Sequence, residues 1–457
     1  MQKLTATLGM LLMALAVGCS RNPQGPQATA SPTPMVNCAA AEAPGDVSPT
    51  PNTIDSTCAK IPTDILGSGD QQGDADEYSW LAFVAMNWPV DPTTCTANAS
   101  ASILNSPPDP VWLSYLANDE IFVPSGVPTG WCHTPTTPGA RFASAEEARA
   151  AQRTSRLATL PPKVRALAEQ HPEVRLFLHH NSKSHDALMS TTTLTNASSQ
   201  LKGILDATNQ VVTDQNGRFL RYTVNIGPIE YQNIIQNKLW TKAGQQATGA
   251  LNFTSGAMEL KAAWKVLGAN DDPTHFFTQQ AIVYNDEDGS PSPGANPVTV
   301  GLAGLHVIQK TPRQPHWLWS TFVQADLNKG FNNPNCPSSQ CPPNVQTAPT
   351  PFVELNSDGS PRNKPVQVVQ QSPTTAGTLN TTFQGLLKGT PWAYYQLVST
   401  QWQGGFGGTK PPQLGNPLLE TFVSITSPYS CLDCHNSAQD SPGGSKSDFS
   451  FAINAKQ

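Results

Sequence analysis

Near the end of a 457-residue chain stand Cys431-Leu432-Asp433-Cys434-His435. Two thiols at this spacing can add to both vinyl groups of a haem from one side of the ring. The adjacent imidazole is then held beneath the iron. The segment predicts one covalent haem c, anchored by Cys431 and Cys434, with His435 as an axial metal ligand. A thioredoxin-like Cys-x-x-Cys would instead open a helix early in a βαβ unit. A zinc site would need a second pair at similar spacing, and Cys336/Cys341 have the wrong gap. Because the motif comes so late, nearly all the polypeptide that could cover such a group precedes it.

That position makes the second axial ligand an open question. No methionine follows His435, so the ligand comes from upstream or the iron keeps an open position. Met86 sits in an apolar helical stretch and Met258 on a strand face; both read first as core, where methionine is a routine filler. His306 is embedded in Val300-Gly301-Leu302-Ala303-Gly304-Leu305-His306-Val307-Ile308. A histidine in so apolar a strand needs a partner for its ring nitrogens. Iron is one candidate, which makes His306 a metal-ligand candidate; a carbonyl or carboxylate is the other. His179, His180 and His185 form a polar cluster whose spacing matches no metal template, and His316 stands near a strand start. Glu259 and Lys261 share one strand face and read as a surface ion pair, with a catalytic role as the alternative.

The other end of the chain reads as a targeting segment. Lys3 precedes an apolar run from Leu8 to Val17, too short to span a membrane as a mature helix. It closes in Ala16-Val17-Gly18-Cys19, small residues directly before a cysteine, as in a bacterial lipoprotein signal with Cys19 as the lipidated residue. Leucine is commoner than alanine at position 16 of such a signal, and an ordinary signal peptide is the other reading. Ser20 after the cysteine matches lipoproteins sent to the outer membrane. The expected location is therefore the periplasm or cell surface, with the N-terminal lipid as membrane tether. Export also orders the nine cysteines. With Cys19 and the haem pair set aside, Cys38, Cys58, Cys95, Cys132, Cys336 and Cys341 make an even number, and three disulfides suit an oxidising compartment. Spacing does not fix their connectivity; Cys38 with Cys58, Cys95 with Cys132, and Cys336 with Cys341 are one pairing.

Only 13% of residues are charged, while proline numbers 42 and glycine 33. That favours short elements joined by long loops over a helical bundle. The net charge of −6 gives no nucleic-acid footprint. Residues 1–19 are read as the signal, 20–60 as a flexible tether, 61–415 as the body and 416–457 as the haem-attachment segment. Within the body, Glu77–Trp88 predicts a buried helix ended by Pro89. Ser144-Ala145-Glu146-Glu147 predicts a capping box for a helix over 148–160, and a second helical piece runs over 163–170. Pro228 predicts a helix start. Strands are expected over 218–226, 258–266, 276–284, 298–309 and 317–324, with 258–266 alternating as if one face were buried. Residues 327–385 read as mostly loop, and 392–402 as strand or helix. The fold class expected is α+β: an antiparallel-sheet core with peripheral helices and long loops, and the haem segment packed on it.

Several phrases resemble a group of large exported bacterial cytochrome c family proteins. They are Phe83-Val84-Ala85-Met86-Asn87-Trp88-Pro89, Glu259-Leu260-Lys261-Ala262-Ala263-Trp264-Lys265-Val266-Leu267, Gly304-Leu305-His306-Val307-Ile308-Gln309-Lys310-Thr311-Pro312, Pro315-His316-Trp317-Leu318-Trp319-Ser320-Thr321-Phe322, the haem segment, and Asp448-Phe449-Ser450-Phe451. The resemblance spans most of the chain past residue 77. It implies haem c and adds no substrate. A six-coordinate iron would pass electrons to redox partner proteins; an open iron would make a haem enzyme, peroxidase-like or acting on a small nitrogen compound. A surface binding protein with a structural haem is the third reading.

Overall fold

The computed structural model describes residues 38, 53–65, 71–105, 109–123, 126–128, 130–132, 142–178, 212–213, 220–269, 271–284, 296–327, 346–347, 373–403, 414, 416, 418–419, 431–440 and 444–453. Residues 36–457 form one compact unit, while Met1–Met35, with Cys19, lie outside the described residues. So do His179, His180, His185, Cys336 and Cys341.

The centre is an eight-stranded sheet: β1 (Leu116–Ala117), β2 (Leu176–Leu178), β3 (Arg221–Ile226), β4 (Met258–Val266), β5 (Thr278–Val283), β6 (Val298–Thr311), β7 (Gln314–Gln324) and β8 (Tyr395–Trp402). The order is β8-β7-β6-β4-β3-β1, all antiparallel. β5 joins antiparallel to the first residues of β6, and β2 adds to β5 in parallel. The α+β class with an antiparallel core is thus what the chain adopts.

Period two along each strand sends side chains to opposite faces, and here both faces are covered. On one, Met258, Leu260, Leu305, Val307, Leu318 and Phe322 pack with helix α1 (Gln71–Met86) and helix α6 (Pro373–Leu386). Trp80 of α1 stacks on Phe383 of α6, with ring centres 5.0 Å apart. On the other, Ala263, Ile308, Trp317, Trp319 and Val323 pack with helix α4 (Pro228–Gln236) and with Cys431, Leu432, Ala452 and Ile453. A small separate cluster under helices α2 (Ala145–Thr159) and α3 (Pro162–Gln170) holds Val164, Ala168, Phe177 and Ile282. Helix α5 (Lys242–Thr248) follows α4 on the chain.

This two-sided burial corrects the one-faced reading of residues 258–266. Every residue of β4 is buried, including Glu259, Lys261 and Lys265, because β4 is a central strand with layers above and below. Helix α1 is likewise surrounded. Its polar positions meet partners in the sheet: Ser79 Oγ lies 2.7 Å from Ser320 Oγ and 2.6 Å from Thr400 Oγ1, and Asp76 accepts from the Thr400 amide at 3.0 Å. The expected cap at Ser144 forms by half. Its hydroxyl accepts from the Glu147 amide at 3.1 Å, while the Glu147 carboxylate takes the Ala143 amide instead of that of Ser144. Helix α6 falls within the stretch read as loop; its Thr- and Gly-rich sequence has weak helix propensity, and packing on Trp80 stabilises it.

Two disulfides tie the N-terminal part of the unit, Cys38–Cys58 and Cys95–Cys132, with Cα atoms 4.9 and 6.0 Å apart.

Asn380 joins three elements. Its Oδ1 accepts from Trp80 Nε1 at 3.0 Å and the Leu397 amide at 2.8 Å, and its Nδ2 donates to the Leu397 carbonyl at 3.0 Å. Asn380→Ala is expected to leave these buried groups unpaired and cost about 3 kcal/mol. Urea denaturation measures this.

Candidate functional site

Cys431–His435 forms a short helix, α7, against the second face of the sheet. A side chain of β8 holds its start: the Leu432 amide donates to Gln401 Oε1 at 3.0 Å. Cys431 is buried and its Sγ lies 3.5 Å from the Leu414 carbonyl, whereas Cys434 is exposed. Neither is in a disulfide.

The imidazole of His435 is fixed on both sides. Its Nδ1 lies 2.6 Å from the Phe449 carbonyl oxygen. A carbonyl only accepts, so Nδ1 carries the proton and Nε2 carries a lone pair. Trp319 and Phe451 each meet the ring edge-on, with centres 5.0 Å away. The carbonyl is aimed by an unusual turn: Asp448 and Phe449 both adopt left-handed backbone, with φ of 52° and 66°. For residues with a Cβ this costs roughly 1–2 kcal/mol each. Side-chain bonds offset the cost. Asp448 Oδ2 accepts from the Phe253 amide at 2.7 Å and from Lys310 Nζ at 2.6 Å.

The Nε2 lone pair points at the sheet. Lys261 Nζ, on β4, donates to it at 3.1 Å. The Lys261 side chain is 4% exposed and lies 3.8 Å from Glu259 Oε2, whose partner oxygen accepts from the Ser450 hydroxyl. The charged pair read as a surface feature is therefore buried, and it faces the histidine of the motif. Glu230 of α4 completes the cluster. It is fully buried, and its carboxyl is hydrogen-bonded to that of Glu259. Burial, then the facing Glu259 carboxylate, holds its pKa well above the ordinary glutamate value, so it retains its proton.

The sequence candidates separate by face. Met86 and Met258 both belong to the apolar core on the opposite side of the sheet. His306 stands on the motif's side: its register partners are Lys261 on β4 and Thr321 on β7. Its Nδ1 lies 3.1 Å from Thr321 Oγ1. His316 stacks on Phe449 with ring centres 5.0 Å apart, and its buried Nδ1 has no hydrogen-bond partner. Trp317 and Trp319 lie on the motif's side, Trp392 and Trp402 on the other. Glu230 was not singled out in the sequence, and Lys261 was noted only with Glu259, as a surface ion pair or catalytic residues. The signal for Lys261 was its place in a strand flanked by two other apolar strands, where a charge has no route to water.

These residues fit a covalently bound haem in their donor set. Two thiols stand three positions apart on one helix, and the Phe449 carbonyl holds Nδ1 of the next imidazole, so that Nε2 is the nitrogen that would bind a metal. Buried ring nitrogens of His316 and Trp317 stand without hydrogen-bond partners on the same side. A separate cavity of about 450 Å³ is lined by Arg149, Arg153, Arg156, Arg175, Asp109 and Asp119, among others. None of the residues around His435 lines it. Its guanidiniums are committed, Arg156 to Asp119, Arg175 to Asp109 and Arg153 to the Val174 carbonyl. No helix among the described residues is long and apolar enough to cross a membrane. No family model matches the chain, and no curated protein or solved structure shows significant similarity to it.

Glu230 gives a pH signature. A carboxyl with its folded pKa above its unfolded value binds a proton in the native state that the unfolded chain has lost. Stability from this group is full at acid pH and falls as pH rises above about 4.5, by at most about 1.4 kcal/mol per pH unit. Glu230→Gln is expected to flatten that fall and to be the more stable protein at pH 8. Urea midpoints from pH 5 to 8 test it; parallel curves would contradict it.

Proposed function

We propose that this protein is an exported monohaem c-type cytochrome that works in electron transfer. The observation that carries the reading is His435 itself. It follows Cys431 and Cys434 on one short helix, and its Nδ1 is bound to the Phe449 carbonyl at 2.6 Å, which leaves Nε2 as the metal-binding nitrogen. A carbonyl on the far nitrogen of a metal-binding imidazole sets its orientation and raises its basicity.

A haem held there supplies a one-electron redox centre. The chain's residues do the rest. Cys431 and Cys434 anchor the group, and His435 ligates the iron. Trp319 and Phe451 pack edge-on against the imidazole. The turn at Asp448–Phe449 fixes the ring's rotation. Cys434 lies at the exposed side of the helix, which supports electron exchange with a partner protein at that surface. The resemblance to exported cytochrome c family proteins points the same way.

The location follows from the N-terminal sequence: a signal over 1–19, a lipid on Cys19 and an outer-membrane tether. The disulfides Cys38–Cys58 and Cys95–Cys132 support an oxidising compartment.

Expression in cells competent for cytochrome maturation is the test. The purified protein is expected to keep its haem through denaturing electrophoresis and to show a c-type reduced spectrum. Cys431→Ala with Cys434→Ala is expected to lose all denaturation-resistant haem. A colourless wild type would overturn the reading. Reduced protein that binds carbon monoxide at once would favour an open-iron enzyme, and a haem with no reversible reduction a structural one.

A further inference from the structure

We propose that a gap in the sheet between β2 and β3 binds a small zwitterion, a molecule with one ammonium and one carboxylate, as a free amino acid has. The site is separate from the helix that carries Cys431–His435, and the proposal does not rest on the haem.

Strand pairing creates the gap. β1 pairs only with Asn225 and Ile226, the last two residues of β3. β2 pairs with β5 and meets β3 at its other end, where Arg221 Nε donates to the Leu178 carbonyl at 3.2 Å. The cavity of about 450 Å³ is lined by Tyr222–Asn225 of β3, by Leu176 and Phe177 of β2 and by residues of helix α2. Small-molecule sites run about 300–1,000 Å³ and set a few placed polar groups in an apolar wall. Leu116, Phe177 and Val224 supply that wall, and all three are buried.

The charge of the lining is balanced, four arginines against four acids. A ligand of one sign alone would meet repulsion as well as attraction. Most of these charges already have partners. Arg156 pairs with Asp119 and Arg175 with Asp109. The Arg153 guanidinium donates to the carbonyls of Val174, Ala168 and His171.

What remains lies on two walls. On the helix, Arg149 makes one hydrogen bond among the described residues, to the Pro92 carbonyl at 3.0 Å. A guanidinium has five N–H donors in a planar fork that suits a carboxylate. On the sheet, Asn225 is 7% exposed. Its Nδ2 donates to the Tyr115 carbonyl at 3.0 Å. A carbonyl only accepts, so the amide cannot turn over, and Oδ1 is left as an acceptor. That buried Oδ1 has no hydrogen-bond partner among the described residues. Glu120 belongs to the same wall, because its Oε2 accepts from the amide of Ala117, the register partner of Asn225. A buried acceptor without a donor is costly. An ammonium supplies three donors at once and a counter-charge for Glu120. The carboxylate of the same molecule then meets Arg149.

Isothermal titration calorimetry on the full-length protein tests this with L-phenylalanine and L-leucine. Each is compared with the analogues that lack one charge: 3-phenylpropionate and 2-phenylethylamine, 4-methylpentanoate and 3-methylbutylamine. Glucose is the neutral control. At least one amino acid is expected to bind about tenfold or more tightly than both of its analogues, the loss of one charged hydrogen-bond partner. Arg149→Gln and Glu120→Gln are each expected to weaken that binding by about tenfold or more. Arg149 is exposed, so its variant is expected to keep the wild-type melting temperature. No binding of either amino acid would overturn the proposal. So would an acid or amine analogue that binds as tightly as its parent, binding of glucose alone, or wild-type affinity in either variant. The comparison on wild-type protein decides the matter even if Glu120→Gln does not fold.

Discussion

The structure turns on one contact between a buried lysine and a histidine lone pair. Lys261 reaches out of the middle of the sheet, and His435 is presented to it from a helix near the chain's end. Neither side chain could be placed there alone. The lysine needs a central strand with both neighbours paired, and the histidine needs the Phe449 carbonyl behind it. Much of the second face of the sheet serves that meeting. Ser450 holds Glu259, Lys310 holds Asp448, and Asn118 holds the Ala452 carbonyl.

The two faces of the sheet divide the work. The face under α1 is a close-packed aromatic core in which Trp80, Phe83 and Phe322 meet at ring distances of 4.4–5.4 Å. It stabilises the fold by burial, and Ser79, Ser320, Thr400 and Asn380 within it are hydrogen-bonded. The opposite face carries acids, lysines and histidines in the interior, where an unpaired group costs far more than it would in water. Such residues weaken a fold. Their concentration around the one Cys-x-x-Cys-His segment, together with left-handed backbone at Asp448, Phe449 and Trp317, is the pattern expected where structure is strained for function.

Much of the frame was legible from the residues in order. Pro89 and Pro228 mark helix boundaries because proline removes a donor and fixes φ, and the strands from Met258 to Gln324 carry their β-branched and aromatic pattern openly. What the pattern did not convey was the number of layers. Alternation along 258–266 looked like a wet face because Glu259, Lys261 and Lys265 are charged; only pairing on both sides, with α4 and the C-terminal residues above, shows that face to be dry. His306 was noticed for the right physical reason, an imidazole in an apolar strand. Its neighbour Lys261 was read with Glu259 first as a surface pair, because lysines are usually exposed. The turn at Asp448–Phe449 could not be read from sequence, since neither residue advertises a positive φ as glycine would.

The account stands on a haem bonded to both thiols of helix α7. Mass spectrometry of the proteolytic peptide containing Cys431–His435, taken from protein made in maturation-competent cells, tests this most directly. The account predicts a visible-absorbing peptide heavier by one haem, with neither thiol available to alkylation. A peptide of unmodified mass with two alkylable cysteines would contradict it.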